Sequence, residues 1–483
     1  MMDELLLING ERRAATGGAT FERFDPYTGK LATLASAATV ADAVAAADGA
    51  AEAFRTWADT PPRQRRDLLL RASEVIETKA GDFARLMTAE IGATAAWARF
   101  NVMMASGMLR EAAAQVYNVK GEILPSDAPD VLSMGLRVPA GVVLSIAPWN
   151  APLVLAMRAM AFPVAYGNTV VLKASELSPA THLALGDVFT DAGFPPGVVN
   201  VISNDRAQAP AIVEALIAHR AVRRVNFTGS TPVGRIVGEL SGRHLKPSLL
   251  ELGGKNPLIV LDDADLDYAV RAAAFGAFAN NGQACMASNR IIVQRSIAET
   301  FVERLSAHAA TLRVGDPRDP ATRIGPLADP SAPARVSGLI EDARKNGANV
   351  TAGGTNEGAV FTSTVLSGVN PDMDVYHQEI FGPVAPVTFV DSVDEAIDMA
   401  NDTTFGLSAG ILTRDHEKGL AIARSLHTGM AHVNDQSVND EPHVPFGGVG
   451  DSGYGRFGGE ASIHEFTELR WTTVRHRPRQ FHM

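Results

Sequence analysis

Cysteine is almost absent: the 483-residue chain contains one, Cys285. An intrachain disulfide is therefore impossible, and so is a cysteine-rich zinc framework. The 12 histidines form no HExxH pattern or comparable ligand cluster, so no metal site is expected. Positive charge is in short supply too, with 43 Lys and Arg against 54 Asp and Glu, a net charge of −11, and no long basic run. Such a chain is a poor partner for nucleic acid or an anionic membrane, and its acidity reads as solubility. No apolar run reaches the ~20 residues of a membrane span. The opening Met-Met-Asp-Glu-Leu-Leu-Leu-Ile-Asn-Gly lacks both the basic and the long apolar region of a signal peptide. A soluble cytoplasmic protein is expected.

What is present is apolar material: 46% of the residues, in a chain too long for one ordinary domain, so two or three domains are expected. Residues 5–8 look like a short strand. Alanine-rich helical spacing fills 40–57. A second helix, entered at Pro61-Pro62, is predicted over 63–90, and a third over about 94–116. Then the pattern changes. Short β-rich runs at 142–146, 168–173, 198–202 and 224–228 alternate with helical segments at 152–166 and after Pro179. This alternation predicts βαβ units around a parallel sheet, and the lack of polar alternation fits strands covered on both faces. A second α/β series begins near 256, with strands at 257–261, 290–293 and 386–390. Its helices lie near 265–280, 296–311, 331–346 and 392–401, and Gly253-Gly254 marks the join. Segments 130–138 and 466–475 fit neither series and alternate as edge strands do. No GxGxxG occurs at a strand-to-helix turn; instead Phe227-Thr228-Gly229-Ser230-Thr231-Pro232-Val233-Gly234 follows the fourth strand-like run and opens a helix.

A lone cysteine is usually an inert buried hydrophobe. The setting of Cys285 points elsewhere. It ends the stretch Asn281-Gly282-Gln283-Ala284-Cys285, in an expected loop at a domain seam. Upstream, Glu251-Leu252-Gly253-Gly254-Lys255-Asn256-Pro257 places a carboxylate after an apolar stretch and before a flexible Gly-Gly. Earlier stands Ala147-Pro148-Trp149-Asn150, and later Gln378-Glu379-Ile380-Phe381-Gly382-Pro383-Val384. This ordered set resembles the aldehyde dehydrogenase superfamily over essentially the whole chain. Residues 90–97, 109–113, 453–457 and 465–469 are similar, more narrowly, to its bacterial members that oxidise salicylaldehyde, vanillin or benzaldehyde.

The resemblance implies an α/β aldehyde dehydrogenase fold in three parts: a Rossmann-like NAD-binding domain (1–120 and 141–252), an α/β catalytic domain (253–452), and a small β oligomerisation flap with the C-terminal tail (121–140 and 453–483). A homodimer or dimer of dimers goes with it. The implied reaction is NAD-dependent oxidation of an aromatic aldehyde through a cysteine thiohemiacetal and thioester. Cysteine suits that chemistry because its thiolate attacks readily and leaves easily. By motif, Cys285 is the nucleophile, Asn150 an oxyanion donor together with the Cys285 N–H, and Glu251 the base that activates water. Taken alone, Asn150 could be a turn residue and Glu251 a surface carboxylate at a strand end.

Cofactor contacts are implied for Ile146, Pro148, Trp149, Lys173, Ser175, Glu176, Gly229, Ser230, Leu252, Gly253, Glu379 and Phe381. A carboxylate at 176 can accept both ribose hydroxyls and repels a 2′-phosphate, which favours NAD over NADP, although Lys173 could pair with a phosphate. The implied substrate tunnel takes Trp97, Ala151, Val154, Leu155, Arg158, Ala284, Met286 and Phe446, an apolar set suited to a flat ring. Arg158 stands where many relatives carry a bulky aromatic residue. It could meet a phenol oxygen or form a structural salt bridge. No second arginine is evident in this set, which disfavours semialdehyde acids. Phe457 and Ala159 replace a glutamate and a lysine common in relatives, so no proton relay through them is expected. The rival readings are an aliphatic or semialdehyde dehydrogenase, a coenzyme A-acylating relative, and a non-catalytic structural relative.

Overall fold

Strand order explains where a ligand can enter this molecule. In the computed structural model, which describes residues 4–481, five parallel strands form the centre of the first sheet. Their order is Val199–Ile202, Thr169–Lys173, Val142–Ile146, Val222–Thr228, Ser248–Glu251. The chain builds outward from Val142–Ile146 in one direction, then returns to build in the other. Such a reversal leaves a crevice beyond the carboxyl ends of the two strands that flank it. Here those ends carry Ala147-Pro148-Trp149 and Gly229-Ser230. Leu6–Ile8 and Glu11–Arg13 extend one edge antiparallel, and Gly453–Tyr454 extends the other. Met1–Asp3, where the terminal reading began, and His482–Met483, the end of the 453–483 segment, lie outside the described residues.

The strands lack a polar face because helices cover both sides. Val143, Val170, Leu172 and Val201 pack in the cluster that holds Pro152–Ala165 and Pro179–Asp191. Leu144, Val171 and Ile202 pack on the other face against the alanines of Val40–Trp57. The helix predicted over 63–90 is two helices, Pro62–Thr78 and Ala80–Ile91, which share Lys79 as a cap at φ −91°, ψ 10°. Apolar spacing runs on through the junction: Leu68, Leu69, Ala72 and Ile76, then Phe83, Met87 and Ile91, are all buried. Periodicity therefore could not reveal the break.

The second sheet has seven strands in the order Asn349–Ala352, Thr364–Ser367, Val384–Val390, Arg290–Gln294, Pro257–Val260, Ser408–Leu412, Met430–Val433. All are parallel except the first. Three of these were expected. The other four are four or five residues long, and Asn, Ala, Ser, Gly or His interrupts or bounds their few branched residues, so no long run marks them. Segments 130–138 and 466–475 are not edges of the large sheets. Val131–Pro139 pairs antiparallel with Thr467–Arg475 and with Glu122–Leu124 in a separate three-stranded sheet. Trp471 stands opposite Gly135 and is 74% exposed. Among the described residues, no helix is long and apolar enough to cross a membrane. Nor, among them, does any group of three His, Cys, Asp or Glu side chains come together that could hold a metal ion.

Candidate active site

The cysteine loop is pinned from both sides. The helix Leu266–Phe278 gives way to a tight turn, Ala279–Gly282, in which Asn280 (φ 49°) and Asn281 (φ 58°) are left-handed. Asparagine tolerates that region better than most residues. Asn281 accepts the Gly325 N–H at 2.8 Å and donates to the Pro326 carbonyl at 3.0 Å, while Gln283 Oε1 accepts the Ala328 N–H at 2.9 Å. From the other side, Asn256 Nδ2 donates to the carbonyls of Cys285 (2.8 Å) and Ala287 (3.0 Å), and its Oδ1 accepts the Ser408 N–H at 3.0 Å. A Cβ at residue 254 would lie 2.7 Å from the Cys285 carbonyl, so the glycine permits this approach. Much of both motifs thus serves to fix one sulfur in space.

Cys285 stands where two cavities meet, and Asn150 and Leu155 also line both. The first cavity is ≈ 350 Å³, within the range of small-molecule sites. All eight residues expected in a substrate tunnel line it: Trp97, Ala151, Val154, Leu155, Arg158, Ala284, Met286 and Phe446. Phe100, Phe275, Phe278, Arg323 and Asp440 line it as well, and no sequence signal marked them. An aromatic residue on a helix looks like ordinary core until its neighbours are known. Arg323 corrects the expectation that no second arginine reaches this cavity.

The second cavity, ≈ 370 Å³, is the crevice at the strand reversal. Of the expected cofactor residues, Pro148, Trp149, Gly229, Ser230, Gly253, Glu379 and Phe381 line it, joined by Thr228, Gln283, Asp329, Ser331, Ala332 and Arg335. Ile146, Lys173, Ser175, Glu176 and Leu252 are not part of its lining. Ile146 and Leu252 are buried; Leu252 lies beneath Gly234, where a Cβ would come within 2.3 Å of it. Ser175 Oγ accepts the Leu177 N–H at 3.2 Å, and Lys173 Nζ lies 3.4 Å from Glu176 Oε2, at the end of the neighbouring strand.

The crevice fits a dinucleotide. Ser230 precedes the helix Thr231–Arg243, yet its side chain makes no capping bond, which leaves the helix amino terminus free for an anion. Phe381, at φ 46°, meets Trp149 edge-on at 5.7 Å and gives the crevice an aromatic wall. Glu379 Oε1 accepts the Gly254 N–H at 3.2 Å. A Cβ at residue 253 would lie 2.5 Å from Glu379 Oε2, so glycine there admits the carboxylate.

The charges at the junction are unusual. Glu251 is fully buried and neither carboxylate oxygen has a hydrogen-bond partner. Burial pushes its carboxyl up to about 7; the Cys285 thiol and Arg158 oppose the rise, and Glu379 and Asp440 add to it. Burial likewise pushes the Cys285 thiol well up, with the Glu251 carboxylate adding to the effect and Arg158 opposing it. Glu379 is raised to about 7 by burial, against the Gly254 N–H, Arg335 and Lys255. Asn150 is clamped by its carbonyl, which accepts from Trp97 Nε1 (2.8 Å) and Asn280 Nδ2 (2.9 Å). Its own side-chain amide donates to the Gln283 carbonyl at 3.1 Å, beside the cysteine. Of the two readings of Arg158, the structure has the salt bridge: the guanidinium pairs with buried Asp440 and lies 4.0 Å over the Phe446 ring. Phe457 is buried 5.8 Å from the same guanidinium, so position 457 offers no proton relay.

A family model described as "Aldehyde dehydrogenase family" matches residues 13–472. A vanillin dehydrogenase of Pseudomonas fluorescens is 54% identical, with 100% of each chain covered. A salicylaldehyde dehydrogenase of Pseudomonas putida is 44% identical, with 98% of each covered. The crystal structure of a salicylaldehyde dehydrogenase from Pseudomonas putida G7, complexed with salicylaldehyde, superposes with a TM-score of 0.98 at 45% identity over 100% of each chain. With its cysteine loop, its two cavities and these matches over the whole length, the chain belongs to the aldehyde dehydrogenase family.

Proposed function

We propose that the protein oxidises an aromatic aldehyde to its carboxylate, with NAD as the acceptor and Cys285 as the covalent nucleophile. One observation carries this reading: the only cysteine stands at the junction of an aromatic-lined cavity and a crevice suited to a dinucleotide. The sulfur attacks the aldehyde carbon and its proton passes to Glu251, a carboxylate whose pKa near 7 lets it accept a proton and give it up again. Asn150 Nδ2, turned from the Gln283 carbonyl, and the Cys285 N–H donate to the new oxyanion; a donor of this kind is worth ~10²–10³ in rate. NAD bound in the crevice supplies the hydride acceptor. Glu251 releases that proton to solvent through the crevice it lines, then takes a proton from water as the water attacks the thioester; the C–S bond breaks, and the carboxylate product leaves with Cys285 as the thiolate.

The ring class rests on Trp97, Phe100, Phe275, Phe278 and Phe446 around the cavity, and on relatives named for vanillin, salicylaldehyde and benzaldehyde. NAD is preferred over NADP because Glu176 would repel a 2′-phosphate and holds Lys173 in an ion pair; one relative is an NAD(+) benzaldehyde dehydrogenase of Pseudomonas putida. A division into cofactor and catalytic domains at residues 252–253 is supported by the change of sheet there, from Ser248–Glu251 in the first to Pro257–Val260 in the second. The small sheet with exposed Leu469, Trp471 and Val474 serves assembly into a homodimer or dimer of dimers in the cytoplasm. The test is NADH production from a panel of aromatic and aliphatic aldehydes, with NAD or NADP, with and without coenzyme A. Aromatic aldehydes with NAD, independent of coenzyme A, should give the highest kcat/KM. A preference for aliphatic aldehydes or a requirement for coenzyme A would overturn the reading.

A further inference from the structure

The Arg158–Asp440 pair in the wall of the first cavity is incomplete. One guanidinium nitrogen bonds Asp440 Oδ2, but Arg158 Nη1 and Asp440 Oδ1 have no partner. Both side chains are buried, at 2% and 7% exposure, and both line the cavity. Buried charged atoms are rarely left unpaired, and where they are, a ligand can complete them. The Phe446 ring covers one face of the guanidinium, and Arg158, Asp440 and Phe446 all line the cavity, where a ligand can meet the pair.

The two free atoms differ in kind. Nη1 can only donate and a carboxylate Oδ1 can only accept. A phenolic hydroxyl answers both, since its hydrogen goes to Asp440 and its oxygen accepts from Arg158. A methoxy group offers an acceptor alone, and an unsubstituted ring offers neither. Resting on the aromatic aldehyde reading above, we propose that Asp440, positioned by Arg158, makes the site selective for aromatic aldehydes that carry a free ring hydroxyl.

The test uses the full-length enzyme with saturating NAD. Benzaldehyde and the ortho, meta and para pairs of hydroxy- and methoxybenzaldehyde are compared by kcat/KM. At one ring position the hydroxy compound should exceed both its methoxy partner and benzaldehyde by about 10-fold or more, the scale of a hydrogen bond to a charged group. In Asp440→Asn, which keeps the shape but can turn an amide N–H toward the substrate, that ratio should collapse to about 1–2. A wild-type ratio near 1 at every position overturns the proposal without recourse to any variant. So does an Asp440→Asn enzyme that loses activity equally on all seven compounds, because the pair would then serve the fold alone. If the wild-type enzyme oxidises benzaldehyde without favouring any hydroxyl, only this inference falls. If it oxidises no aromatic aldehyde but accepts aliphatic ones, the aromatic reading falls with it.

Discussion

Glu251 should weaken the protein in the pH range where it serves catalysis. Its carboxyl is raised from an ordinary 4.5 to about 7, with burial as the largest cause. The folded state therefore keeps a proton that the unfolded chain has already lost. The stability this contributes is fully present below about 4.5 and is lost as pH rises through about 7. At 1.36 kcal/mol per pH unit, the span is worth roughly 3 kcal/mol. Glu251→Gln cannot ionise and escapes the loss. Relative to wild type, the variant should gain roughly 2–3 kcal/mol between pH 5 and pH 8. For a chain of this length that is about 2–3 °C in Tm. Comparing the difference at two pH values cancels the fixed cost of burying an amide without partners. The assay is thermal unfolding of cofactor-free wild type and variant at pH 5 and pH 8, at one scan rate. A Tm difference that does not move with pH would refute the reasoning. Because Glu251 takes the thiol proton as well as activating water, the same variant should slow both half-reactions, with turnover down by about 10²–10⁴ and no burst of NADH, and wild-type kcat should fall as pH drops below about 7.

Three further outcomes follow from the geometry. Cys285→Ala should abolish aldehyde oxidation while NAD still binds, measured by NADH absorbance and by cofactor titration; measurable oxidation by a verified variant would exclude the covalent route. Arg158→Leu leaves Asp440 buried without its partner and should cost about 3–5 kcal/mol, seen as a lower Tm, with much of the loss recovered in Arg158→Leu/Asp440→Leu. An unchanged Tm would mean that the pair does not hold charge. Deleting 468–483 removes the strand paired along Val131–Pro139, so the light-scattering mass should fall toward one chain; a wild-type mass already near one chain would rule out the small sheet as an assembly surface.

Much of this site was legible in the residues because the chemistry sits on local motifs. Glu251 closes a strand, Ser230 opens a helix, and Asn150 follows a strand by four residues; each position follows from hydrophobic pattern and turn residues within a short window. What resisted reading depends on residues far apart in the chain. The break at Lys79 hid because burial continues in phase across it. The strands at 408–412 and 430–433 hid because Ser-Ala-Gly-Ile-Leu and Met-Ala-His-Val contain no sustained run of β-branched or aromatic residues. Arg158 shows the limit most clearly. Its place on a helix beside the cavity was predictable from its distance to Asn150, but a cation's sequence position says nothing about which carboxylate faces it. Asp440 lies in a loop with no periodic signal, brought across by the chain returning from the second sheet toward Phe446. That meeting turns an arginine that could have bound a substrate oxygen directly into half of a pair with one donor and one acceptor unclaimed. The difference has a chemical consequence: a lone arginine would favour a phenolate or any ring oxygen, whereas the pair favours a neutral hydroxyl that can give as well as accept a hydrogen bond.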